Sequence, residues 1–129
     1  MKIEHIAIWT NNLEILKDFY KKYFNIEVGR KYRNEKTKFE SYFLSFNGEC
    51  RLEIMQIPSI QNSKNNILKQ YVGLNHFAIA VGSKSKVISI TQILHNDGYN
   101  IISEPRKTGD GYFESVILDP DGNRVEIIL

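Results

Sequence analysis

The sequence predicts an α+β fold in which two βαβββ modules form a curved, open, eight-stranded, barrel-like cup. Two repeated motifs and a repeated order of elements lead to this prediction. The strand-like HIAI that begins at His5 returns as HFAI at His76, and the LEI around Glu53 returns as VEI around Glu126. In each half, the first motif precedes an amphipathic helical pattern and three further strand patterns. The helix must cover one face of its small sheet, which leaves the other face free to curve around a ligand.

The first module is expected over residues 1–58. A strand at 2–9 ends near Thr10-Asn11-Asn12, which are good N-cap residues for a helix. The following helix carries apolar side chains at helical spacing, namely Leu13, Leu16, Phe19, Tyr20 and Tyr23. Strand patterns then cover about 26–32, 38–46 and 50–57. Asn47-Gly48, between the last two strands, is a strong hairpin-turn signal.

The second module, 72–129, repeats this plan, and the polar linker 59–71 joins the two modules into one domain over 1–129. A strand at about 73–81 precedes a helix that Ser83 or Ser85 can cap. The helix ends at Asn96-Asp97-Gly98, and its inward side chains are expected to be Val87, Ile90, Ile93 and Leu94. Strand patterns follow at about 99–103, 111–118 and 123–129, and Asp119-Pro120-Asp121-Gly122 joins the last two.

Strand alternation places both histidines and both glutamates on the face away from the helix, because apolar neighbours flank each of them. The resulting two imidazoles and two carboxylates suit divalent zinc, nickel, cobalt, manganese or iron, and the pattern offers no thiolate. A single histidine or glutamate on a strand is more often structural or solvent-facing. The recurrence of the same pair in both halves favours a metal site, since unpaired charge on a curved inner face is costly.

These motifs, with DPDGN before the second glutamate, resemble the vicinal oxygen chelate superfamily over essentially the whole chain. The closest resemblance is to its glyoxalase I, bleomycin-resistance and dioxygenase group. The resemblance implies paired βαβββ modules around one divalent metal ion per site, usually in homodimers. It implies His5, Glu53, His76 and Glu126 as the metal ligands. It also implies a glyoxalase-type lyase, similar to the lactoylglutathione lyases.

Two positions depart from the glutathione-using members of that group. Those members carry an arginine four residues after the first ligand, where this chain has Trp9. They carry an asparagine four residues after the second ligand, where this chain has Ile57. We therefore do not expect glutathione as the co-substrate.

Two functions are open at this point. As an enzyme, the chain would isomerise a small oxygen-chelating substrate, a hydroxycarbonyl or a hemithioacetal, with Glu126 or Glu53 as the catalytic base and Glu126 preferred. Substrate contacts are expected from Trp9, Arg124 and Tyr112. Further residues that could line the pocket or belong to the core are Tyr42 and Phe113, and Arg51 holds a place equivalent to Arg124. As a binding module of the drug-resistance type, the chain would sequester a small aromatic or metal-bound ligand without turnover.

Composition argues against several other classes of protein. The net charge is +2 and the basic residues are scattered, so a nucleic-acid partner is not expected. Cys50 is the only cysteine, which rules out an intrachain disulfide. No signal-peptide pattern and no apolar run of about 18 residues is present, so we expect a cytoplasmic protein without a membrane partner.

Overall fold

The computed structural model describes residues 1–48 and 50–129, which divide into two units, Met1–Ser63 and Lys64–Leu129. The first unit contains β1 (His5–Trp9), α1 (Leu13–Phe24), β2 (Glu27–Val28), β3 (Tyr32–Arg33), β4 (Glu40–Ser45) and β5 (Arg51–Gln56). The second unit contains β6 (His76–Ala80), α2 (Lys84–Asn96), β7 (Ile101–Lys107), β8 (Phe113–Leu118) and β9 (Arg124–Ile128).

Each unit has one mixed sheet. The strand order is β1-β5-β4-β2 in the first sheet, where β3 also pairs with β4, and β6-β9-β8-β7 in the second. In both sheets the first strand is parallel to the last, and the other pairs are antiparallel. The α+β class is therefore confirmed, with two mixed sheets and no closed barrel among the described strands.

The strand predicted over 26–32 is two short strands, which gives the first sheet five strands where four were expected. Val28 aligns with Leu44, whereas Tyr32 aligns with Ser41, so three residues of one strand lie opposite two of the other. This extra residue is a β-bulge between Val28 and Tyr32, although the Gly29 N–H still donates to the Phe43 carbonyl at 2.9 Å. The Asn47-Gly48 turn precedes Glu49, which lies outside the described residues.

The caps of both helices are as predicted. Asn12 caps α1, with its side-chain oxygen accepting from the Ile15 backbone N–H at 3.1 Å, and Ser83 caps α2, accepting from Lys86 at 3.2 Å. The inward face of α2 differs from the prediction, because Ile93 is 48% exposed. Thr91 is buried in its place, and its hydroxyl lies 2.6 Å from that of Ser115 on β8.

Strand β7 continues through Glu104 and Pro105 to Lys107, beyond the predicted end at 103. The prediction was wrong because a proline usually signals a loop. Here β7 is an edge strand, where a residue without a backbone N–H is tolerated. Its pairing with β8 contains two register shifts, after which Arg106 aligns with Glu114.

Pocket and core were both open for Tyr42, and the structure places it on the helix-covered face of the first sheet. Its hydroxyl donates to Glu14 of α1 at 3.1 Å. The Lys17 ammonium, 2.5 Å away, is the strongest influence on Glu14 and, with Lys31, it lowers the pKa of that carboxyl to about 2.

We expect Glu14→Gln to destabilise the protein near neutral pH by less than about 1 kcal/mol, because the Glu14 side chain is 48% exposed. The folded-state pKa is below the ordinary value of 4.5, so ionised Glu14 contributes its stability above pH 4.5. That contribution is lost as the pH falls from about 4.5 towards 2. Urea unfolding of both proteins across this range measures the difference. A difference that stays constant down to pH 2 would contradict the prediction.

Candidate metal centre

In the first unit, one histidine and one glutamate meet on the face of the sheet away from α1. Glu53 on β5 points to this face because Leu52 and Ile54, on either side, are buried against the core. The parallel register places Ala7 beside Glu53, and this small side chain leaves room for the imidazole of His5. His5 Nε2 lies 3.7 Å from Glu53 Oε2, with the side chains 39% and 15% exposed.

The second unit contains the same arrangement. Glu126 on β9 lies between the buried Val125 and Ile127, and Ala78 is its register partner on β6. His76 Nε2 lies 3.2 Å from Glu126 Oε1, with the side chains 40% and 19% exposed. The structure therefore brings the predicted residues together as one pair in each unit.

The residue directly before each histidine contacts the second ring nitrogen, Nδ1. His5 Nδ1 contacts the carboxylate of Glu4, and His76 Nδ1 lies 2.9 Å from Asn75 Oδ1. Both partners can accept a hydrogen bond from Nδ1, which leaves Nε2 as the ring atom directed at the glutamate oxygen. An imidazole held in this way is oriented to offer Nε2 to a metal ion. The sequence reasoning missed Glu4 and Asn75, although each stands directly before its histidine.

Arg51 and Arg124 hold equivalent places, as the register partners of His5 and His76. Arg51 pairs with Glu4, and its guanidinium lies 4.1 Å above the ring centroid of Phe43. Arg124 donates to the Ile67 carbonyl at 2.6 Å and to Gln70 at 3.5 Å. Both are half-buried strand arginines that are held by residues of their own unit. A substrate contact from Arg124 stays a prediction.

Glu126 has a second carboxylate beside it, which the sequence reasoning missed. Glu126 pairs with Val116 on β8, and Glu114 is two residues before Val116, so it lies on the same face as Glu126. Glu114 is buried. Arg106 Nη2 approaches Glu114 Oε1 at 3.5 Å. Burial raises the pKa of Glu126 and Glu114 raises it further, against the opposing effect of His76. Ser41 occupies the equivalent position in the first unit, so the two faces differ in charge.

The donor geometry fits a divalent ion. Two atoms that each bind one ion at about 2.0–2.2 Å lie about 2.8–3.6 Å apart. The His76–Glu126 distance of 3.2 Å falls in this range, and the His5–Glu53 distance of 3.7 Å is slightly above it. Proton-bearing Nδ1 atoms held by acceptors are the usual surroundings of histidine ligands. Among the described residues, no group of three or more His, Cys, Asp or Glu side chains forms a metal cluster.

The aromatic residues predicted near the site fall on different faces. Trp9 shares the face of His5 and Glu53, and it is 43% exposed. Pocket and core were both open for Phe113. It lies on the helix side of the second sheet, beneath the Lys84 ammonium, where it lines a cavity of about 320 Å³ beside α2. Tyr112 precedes β8 and is 55% exposed, and its substrate contact stays a prediction.

Comparison with known proteins identifies relatives over the whole chain. The model of the Glyoxalase/Bleomycin resistance protein/Dioxygenase superfamily matches residues 2–127. YwkD, an uncharacterized protein of Bacillus subtilis, is 31% identical over 128 residues, covering 97% of this chain and 94% of its own. In the described part of the chain, no helix is both long enough and apolar enough to cross a membrane.

Two further similarities concern proteins with glyoxalase names. The lactoylglutathione lyase GLX1 of Arabidopsis thaliana is 26% identical over 96% of this chain, and the chain spans 42% of that protein's length. The crystal structure of a glyoxalase family protein from Enterococcus faecalis superposes with a TM-score of 0.76. That protein is 25% identical, and the match covers 99% of this chain and 97% of the other.

Proposed function

The chain belongs to the Glyoxalase/Bleomycin resistance protein/Dioxygenase superfamily, and from this premise we propose that it is a metal-dependent lyase or isomerase of the glyoxalase I type. Its substrate would be a small molecule with two neighbouring oxygens, a hydroxycarbonyl or a hemithioacetal. The observation that carries the proposal is the pair of histidines whose Nε2 atoms face carboxylate oxygens. His5, Glu53, His76 and Glu126 would together hold one divalent ion.

A bound divalent ion would polarise the substrate carbonyl and acidify the adjacent C–H bond. Glu126 would leave the ion, or bind it only loosely, so that its carboxylate can take the proton from that carbon and return it to the neighbouring carbon. A second proton passes between the two substrate oxygens, so the isomerisation consumes no co-reactant. Burial and the nearby Glu114 raise the pKa of Glu126, which makes its carboxylate a better proton acceptor. Glu53 is the second candidate for the base.

The remaining features of the proposal follow from the family and from the two sequence departures. Trp9 and Ile57 replace the residues that glutathione-using members carry, so the thiol-bearing part of the substrate would differ from glutathione. Trp9 would form an apolar wall, with Arg124 and Tyr112 as further substrate contacts. The chain would act as a homodimer.

A second function is favoured by one specific observation. The Trp9 ring packs edge-to-face with the Phe39 ring, with 6.1 Å between the ring centroids. The centroids of the Phe39 and Tyr32 rings are 6.0 Å apart. Such an aromatic cluster also suits a binding module that sequesters a small ligand without turnover. Turnover of a hemithioacetal by the metal-loaded protein separates this function from the enzyme.

The experiment that tests the proposal is elemental analysis of the gently purified, untagged protein by plasma mass spectrometry. We expect about one divalent ion per chain, and loss of that ion in the His5→Ala/His76→Ala double variant. His95→Ala is the matched control, because His95 is the remaining histidine and lies on the exposed side of α2. It should keep the ion.

The outcomes lead to different conclusions. Absence of metal, with no uptake of added nickel, cobalt, zinc or manganese, would overturn the proposal. One ion per chain without isomerase activity on any hemithioacetal tested would favour the binding module. Equal metal loss in the His95→Ala protein would show that the ion is not bound at the proposed ligands.

A further inference from the structure

Three aromatic side chains gather at one end of the His5–Glu53 face. Trp9 on β1 and Tyr32 on β3 each contact Phe39, which immediately precedes β4. The Trp9 and Phe39 rings are nearly perpendicular, at 89°, and the Tyr32 ring is tilted by 57° to that of Phe39. We call these three residues the aromatic cluster.

The sheet register explains why the cluster lies on this face. Trp9 aligns with Met55, Met55 with Ser41, and Ser41 with Tyr32, so one row crosses four strands. Directly paired residues project from the same side of a sheet. Phe39 is two residues before Ser41 and therefore lies on that side as well. The small Ser41 is buried in the middle of the row.

The cluster is open to solvent, unlike a packed core. Trp9 is 43% exposed and Tyr32 is 56% exposed, whereas the aromatic residues Phe19 and Tyr20 of α1 are almost completely buried. Edge-to-face packing leaves ring faces free to contact a further flat group. Exposed apolar groups gathered on one surface are typical of a binding site.

The distance between the aromatic cluster and Glu53, which is proposed to bind the metal, constrains the size of the small molecule that can contact both. The row of Trp9 and Met55 is two residues along the strands from the row of Ala7 and Glu53. Two residues of a strand span about 6.5–7 Å. An aryl ring attached directly to a hydroxycarbonyl group covers a comparable distance from the far edge of the ring to the oxygens.

We propose that the aromatic cluster of Trp9, Phe39 and Tyr32 is a specificity subsite that binds a flat apolar substituent, preferably an aryl ring, of the oxygen-chelating substrate. This inference rests on the proposed function for the identity of the polar part of the ligand. The binding of the apolar part depends only on the aromatic cluster, and it can be measured without metal.

The test uses the fluorescence of Trp9, which is the only tryptophan in the chain. Metal-free protein, prepared with a chelator, is titrated with mandelate and with lactate, two 2-hydroxy acids that differ in a phenyl or a methyl group. We expect saturable quenching by mandelate and a Kd for lactate at least tenfold higher. Phe39→Leu and Tyr32→Leu should each raise the mandelate Kd about three- to tenfold. The control Tyr71→Leu replaces a comparably exposed tyrosine of the other unit, to which no substrate contact is assigned, and should leave the Kd unchanged.

Equal affinity for the two acids, or an unchanged mandelate Kd in both cluster variants, would overturn the inference. A fluorescence change with protein concentration alone, without any effect of mandelate, would also overturn it and would identify the cluster as a contact between copies of the chain. Loss of metal binding in the elemental analysis would refute the proposed function without changing these titrations. Circular dichroism of each variant checks that it is folded.

Discussion

Replacing Glu126 by glutamine is expected to lower the turnover of a hemithioacetal by about 10²- to 10⁴-fold, the usual contribution of a general base. Glutamine has the same shape and keeps an oxygen that can face an ion, but it cannot accept the substrate proton. The loss should therefore fall mainly on kcat rather than KM. Steady-state kinetics with metal-loaded protein measures it.

Glu53→Gln is the matched control, since it makes the same change at the equivalent position of the first unit. We expect this variant to lose less turnover than Glu126→Gln. The metal content of both proteins must be measured beside the kinetics, so that loss of the ion is distinguished from loss of the base. A larger effect of Glu53→Gln, at equal metal content, would assign the base to Glu53.

The assignment of Glu126 rests on a difference between the two units that the repeat in the sequence conceals. Both glutamates lie beside a histidine and an alanine, but only Glu126 has the buried carboxylate of Glu114 one register row away. Ser41 stands at that position in the first unit. Neighbouring negative charge and burial both favour the protonated form of Glu126, which makes it a better proton acceptor when it is ionised.

Much of the fold could be predicted, as could the sheet face on which the candidate site residues lie, because the physical signals for both are local. Alternation along a strand fixed the side of His5 and Glu53, and the buried Leu52 and Ile54 agree with it. Asn12 and Ser83 could be identified as caps because their side chains bond within the next turn. The pairing of each histidine with its glutamate followed from these faces and from the repeat.

The features that were missed depend on contacts distant in sequence. The bulge between Val28 and Tyr32 and the shifted register of β7 are set by pairing with another strand, which no local pattern reveals. Arg106 falls on the Glu114 face only because of that shifted register. Tyr42 and Phe39 are both aromatic residues near β4, and the register with β5 decides which of them faces away from α1.

Alanine in place of Ile54 or of Ile127 is expected to reduce the free energy of unfolding by about 2–5 kcal/mol. The two residues hold equivalent positions directly after Glu53 and Glu126, and both side chains are completely buried. Each substitution removes buried methyl and methylene groups and leaves a cavity that the packed surroundings fill only in part. Urea unfolding monitored by circular dichroism measures the change.

The controls Ile15→Ala and Ile88→Ala remove the same groups from α1 and α2, where the side chains are 55% and 51% exposed. They should cost much less, because most of the lost surface is already in contact with water. If Ile54→Ala cost no more than Ile15→Ala, the strand would not be packed as described.

The burial of Ile54 and Ile127 also determines the face of the sheet on which Glu53 and Glu126 lie. A slip of one residue would move every side chain of the strand to the opposite face and turn Glu53 or Glu126 into the core, where an unpaired carboxylate is strongly unfavourable.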